Sequence, residues 1–121
     1  MFIREETIMS AGDKTTLGLL VSDLCPNDVV RVETKGRTYE IRILDPGALT
    51  VKLWGKNVPE TEGKIIGSAP GNARMYIKRP GEIVQGLPLV LELNNGALWS
   101  FAPTQKVWVN GLEVETEMVS V

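Results

Sequence analysis

The sequence predicts an all-β fold: a small antiparallel barrel or sandwich of short strands, with at most one short N-terminal helix. Three observations predict it. From Val29 onward, apolar residues recur at every second position in run after run, the period of strands with one face on a core and the other in water. The runs are punctuated by turn chemistry at Lys35-Gly36, Asp45-Pro46-Gly47, Asn94-Asn95-Gly96 and Asn110-Gly111. Helical spacing occurs once, near the N-terminus. Many short strands with Gly, Pro and Asn turns make a barrel or sandwich.

In chain order, residues 1–12 end in Ser10-Ala11-Gly12 without a clean period and read as a tail or peripheral strand. Residues 13–121 read as a single β domain, since no linker or low-complexity segment divides them. Asp13 is placed to cap a short helix over 14–24, where Leu17, Leu20, Val21 and Leu24 recur at helical spacing. Gly18 weakens that helix and Pro26 ends it; the run is short enough for a strand to compete. Next comes a three-stranded meander. Val30 and Val32 oppose Arg31 and Glu33; Tyr39, Ile41 and Ile43 oppose Thr38, Glu40 and Arg42. Leu49, Val51 and Leu53 then oppose Thr50, Lys52 and Trp54.

Residues 55–63 read as a polar loop, 64–68 as a short strand and 69–72 as a turn. In the strand after it, Arg74, Tyr76 and Lys78 share one face and Met75 and Ile77 the other. Leu87, Leu89, Leu91 and Leu93 line one face of the following strand, with Pro88 tolerable only near its start or at an edge. Pro103 is expected to interrupt the stretch between Leu98 and Val109. Asn110-Gly111 is a strong hairpin signal, and the strand beyond it sets Glu113, Glu115 and Glu117 against Leu112, Val114 and Thr116.

Composition narrows the function classes. The 121 residues include no histidine, which removes the commonest general base and metal ligand together with every Ser–His or Cys–His nucleophile. One cysteine, Cys25, allows neither an intrachain disulfide nor a cysteine zinc site; flanked by Leu24 and Pro26, it reads as a small core side chain. No enzymatic activity, cofactor or metal is expected. Residues 113, 115 and 117 lie about 7 Å apart in steps of two along a strand, too far to converge on one cation. The glycines of 67–72 lack the Gly-Lys-Ser/Thr ending and following helix of a phosphate loop, so they read as turn glycines. No run is long and apolar enough to cross a bilayer and the charged N-terminus does not read as a secretory peptide, so a cytoplasmic protein without membrane contact is expected.

Charge is unevenly distributed. Residues 29–79 carry ten basic and five acidic groups, a balance of +5, against −3 before and −4 after. Either the middle segment forms a patch for an anionic ligand, or acidic and basic strands lie side by side and neutralise one another.

The aromatics supply the candidate site. Alternation puts Trp54, Tyr76 and Trp108 on the polar faces of their strands, beside cations. Outward tryptophans mark contact surfaces, because they bury a large area at low entropy cost. The leading expectation is a non-enzymatic β domain working through protein–protein contact at Trp54, Tyr76 and Trp108, self-associating as a homo-oligomer. Burial of these rings between two sheets is the second reading. The third is a single-stranded nucleic-acid module, with Arg42, Lys52, Arg74, Lys78 and Arg79 on phosphates and rings stacking on bases. The turn spacing resembles small barrels of the OB or SH3-like kind, an architecture that carries little functional information.

Overall fold

A computed structural model of the chain describes residues 18–56, 58–69 and 79–117. The tail expected at 1–12, the cap at Asp13 and the strand bearing Arg74, Tyr76 and Lys78 lie outside the described residues.

The meander forms as its alternation requires. Val29–Thr34 (β2), Arg37–Asp45 (β3) and Thr50–Gly55 (β4) pair antiparallel in sequence order. Val30, Val32, Ile41, Ile43, Val51 and Leu53 are completely buried on the shared inner face, with Tyr39 nearly so. Val58–Ser68 (β5) continues the meander against β4. Pro88–Leu93 (β8) then pairs with β5, and Leu98–Val109 (β9) pairs with β8 at one end and β2 at the other. That last pairing closes a ring of six antiparallel strands, β2-β3-β4-β5-β8-β9. A closed ring removes the unpaired edges that an open sheet would expose. It also differs from the five-stranded, partly open barrel of the OB kind.

Small elements decorate the ring. Leu19–Leu20 (β1) pairs with Glu82–Ile83 (β7), Arg79–Pro80 (β6) lies against the end of β5, and Leu112–Val114 (β10) extends β9. Among the described residues the helical content is one 3-10 turn, Val21–Asp23. The helix expected over 14–24 does not form in its described part. Leu19 and Leu20 take strand pairing on β7 instead, and of the 3-10 turn only Val21 is buried. No helix of the described residues is long and apolar enough to cross a membrane.

Three further expectations are corrected, and the exposure of Leu112 stands beside them. Residues 58–63 are strand, not loop. Their charged residues, Glu60 and Glu62, face solvent. Val58 is buried, but the other inward positions are the small Thr61 and Gly63 and the pairing with β4 shifts register between Leu53 and Gly55, so no regular apolar period marks the strand. Pro103 leaves β9 unbroken. It sits opposite Pro88 where β9 ends its pairing with β8, next to Thr104, where pairing with β2 begins. Two facing prolines waste no ladder donor. Leu112 is 74% exposed, because β10 lies outside the ring and its apolar side covers no core. Cys25 is exposed rather than core, carried on the turn in which the Asp28 amide donates to the Cys25 carbonyl (3.1 Å) and the Cys25 amide to Asp28 Oδ2 (2.8 Å).

The hairpin at Asn110-Gly111 follows the sequence and adds a lock. Asn110 (φ 50°) and Gly111 (φ 87°) both take the left-handed backbone of a type I′ turn. Asn110 Oδ1 accepts from the Val29 amide at 2.9 Å, and Asn110 Nδ2 donates to Asp28 Oδ1 at 3.0 Å. One side chain thereby joins the start of β2 to the β9–β10 turn, 81 residues away. Asn110→Ala removes both bonds and places a Cβ residue without local compensation at positive φ, for an expected loss of about 1–3 kcal/mol. Asn110→Gly keeps the turn and is expected to lose about half as much. Urea unfolding measures both losses; an Asn110→Gly chain as stable as wild type would show that the side-chain bonds contribute nothing, and equal losses in the two variants would show that the positive φ carries no cost.

Candidate functional site

Trp54 and Trp108 face outward, as their alternation requires, because Leu53 and Val107 beside them are fully buried in the ring. The pairing brings them into one row across five strands. Glu113 on β10 pairs with Trp108 on β9, Trp108 with Arg31 on β2, Arg31 with Glu40 on β3, and Glu40 with Trp54 on β4. Residues paired across strands project from the same face, so the five side chains form a continuous outer stripe. Three strand spacings separate the two tryptophans, about 14 Å.

The stripe is tied together sideways. The Arg31 guanidinium lies 5.2 Å from the centre of the Trp108 ring, and its Nε is 3.3 Å from Glu40 Oε2. Arg42, in the neighbouring row, lies 5.8 Å from the centre of the Trp54 ring. At partly exposed positions each such cation–ring contact contributes about 0.5–1 kcal/mol, enough to hold a rotamer. Both rings are partly buried, with one face occupied by a cation and the remainder open. These are pre-ordered aromatics, and pre-ordering lowers the entropy cost of a contact. Arg31 and Glu40 carry no signal that singles them out in the sequence beyond their outward alternation.

A different aromatic group stands inside. Tyr39 stacks on Phe101 with ring centres 4.1 Å apart, and Trp99 meets both edge-on at 6.3 and 5.6 Å. The three tryptophans therefore divide by role, Trp99 packed against the core and Trp54 and Trp108 on the outer face.

Of the cations expected to meet an anionic ligand, the three within the described residues, Arg42, Lys52 and Arg79, are engaged. Lys52 Nζ lies 3.1 Å from Glu60, and Arg42 covers Trp54. Arg79 donates through Nη2 to Glu82 (2.8 Å) and through Nη1 to Glu117 (3.0 Å). Burial disfavours its charge, but the bonds from Glu117 and Glu82 outweigh that cost and raise its pKa above the ordinary arginine value. Glu117 is thus part of a carboxylate–guanidinium–carboxylate clasp and partly buried, whereas Glu113 and Glu115 are exposed. Next to it, the Gln85 amide donates to Thr116 Oγ1 and the Thr116 amide to Gln85 Oε1, at 2.8 and 2.7 Å, pinning the C-terminal segment to the ring.

Two surface hollows lie among the described residues. One, of about 440 Å³, is lined by Glu33, Thr34, Gly36, Arg37, Thr38 and Lys56. The other, of about 350 Å³, holds Glu92 and Lys64 among its walls. Among the described residues that line each, there is one carboxylate, Glu33 and Glu92 respectively, whereas carboxylate-pair hydrolysis needs two across a cleft. No protein-family model, curated protein or solved structure matches the chain.

Proposed function

We propose that this protein is a non-enzymatic β-barrel that works through protein–protein contact, associating with a second copy of itself through the stripe of Trp108, Arg31, Glu40 and Trp54. The observation that carries the proposal is the register that sets two outward tryptophans in one row with a cation–anion pair between them. Aromatic and arginine side chains in such a patch are the residues that dominate contact energies, and charged side chains between them set orientation. Nucleic-acid binding is the weaker alternative, because Lys52 and Arg79 already face carboxylates.

The stripe makes a measurable claim about the tryptophans. Trp54→Ala and Trp108→Ala are each expected to weaken self-association by about 2 kcal/mol, roughly 30-fold in Kd, with little change in unfolding midpoint. Concentration-dependent light scattering on each variant reads the first quantity and urea unfolding the second. Unchanged association in both variants would move the contact to another face.

A further inference from the structure

The stripe is complementary to itself read backwards. From β9 to β4 it runs aromatic, cation, anion, aromatic: Trp108, Arg31, Glu40, Trp54. Reversed, it runs aromatic, anion, cation, aromatic. Two such stripes laid face to face about a two-fold axis parallel to the strands, between β2 and β3, set each cation on an anion and each ring on a ring. The other in-plane axis, perpendicular to the strands, sets every residue on its own copy, Arg31 on Arg31 and Glu40 on Glu40. Repulsion of like charges disfavours it.

We infer, resting on the self-association proposed above, that the dimer is isologous about the strand-parallel axis, with Arg31 opposite the second copy's Glu40 and Trp108 opposite its Trp54. Each Arg31 also holds Glu40 of its own chain at 3.3 Å, so the contact closes a square of four alternating charges on the axis. In the rows on either side, Arg42 falls opposite Val29 and Glu33 opposite Thr38, so these two central columns bring no like charges together. The outer surface of a barrel curves away from the contact line, and the gap between copies widens toward β9 and β4. The largest side chains of the stripe stand there.

Charge reversal in trans tests the register. Arg31→Glu gives a chain with two anions at the square, and Glu40→Arg a chain with two cations. Each variant alone sets like charges together and is expected to self-associate at least about 30-fold more weakly than wild type. An equimolar mixture restores both opposite-charge contacts between the chains, though not the pair within each, and is expected to form a heterodimer much more tightly than either variant pairs with itself, a recovery that repair within one chain cannot supply. Sedimentation velocity with one variant fluorescently labelled reads both. Circular dichroism confirms the fold of each chain.

A second measurement holds if either reversal fails to fold. With Cys25 changed to serine, Trp54→Cys and Trp108→Cys chains are mixed with a bis-maleimide of about 10 Å reach, the spacing of sheets packed face to face. Crosslinks between unlike chains are expected, and crosslinks between like chains would contradict the axis. A wild-type chain that stays monomeric, or binds only some other protein, overturns both this register and the self-association beneath it. A wild-type dimer whose mixed variants show no recovery overturns the register alone.

Discussion

Gly67→Ala is expected to destabilise the barrel by about 3–5 kcal/mol, a large fraction of the stability of a domain this size. Gly67 has φ +144°, a region that side-chain-bearing residues rarely enter. It lies where β5 is paired on both edges at once, with Pro80 of β6 on one and Val90 of β8 on the other. A Cβ there would stand 2.5 Å from the Arg79 carbonyl oxygen, 2.8 Å from Pro80 Cα and 2.9 Å from the Gly81 nitrogen. All three are backbone atoms and cannot rotate aside. Relief requires β6 to leave β5, which also breaks the bond from the Gly81 amide to the Ile66 carbonyl and moves Arg79 from Glu82 and Glu117. Urea unfolding monitored by tryptophan fluorescence measures the loss. A change below about 1 kcal/mol would mean that β6 yields without cost and that the double pairing contributes little.

Phe101→Ala carries an effect of similar size through a different cause. Phe101 is 4% exposed, stacked on Tyr39 and met edge-on by Trp99, so truncation removes both ring contacts and leaves a cavity. Loss of a buried phenylalanine costs about 3–5 kcal/mol. The near-ultraviolet dichroism of Trp99 is expected to collapse in parallel, while Trp54→Ala and Trp108→Ala leave that band in place. A variant with wild-type stability and an intact band would show that the ring cluster is not part of the core.

How much of this was legible in the sequence depends on where the determining contacts lie. Alternation over 29–53 placed Val30, Val32, Ile41, Ile43, Val51 and Leu53 inside correctly, because a half-buried strand writes its faces into every second residue. The hairpin at Asn110-Gly111 was readable for the same local reason. The failures are non-local. Residues 58–63 became strand because β4 offered a pairing edge along them, despite Val58 being the one apolar residue on their inner face beside Thr61 and Gly63. Pro103 was absorbed at a change of partner, and Leu19 and Leu20 were captured by β7. Cys25 looked internal by its neighbours and is exposed on a turn.

The site divides likewise. Outward projection of Trp54 and Trp108 follows from each strand separately. Their alignment in one row follows from the closure of β9 on β2, which pairs Trp108 with Arg31 across 77 positions of chain. Neither the row nor the part taken by Arg31 and Glu40 can be read from spacing alone.

Sedimentation equilibrium of the wild-type chain across a wide concentration range tests the central claim most directly. Self-association through the stripe predicts a mass that rises with concentration and levels off at twice that of one chain. A mass that stays at one chain up to the highest attainable concentration would contradict it.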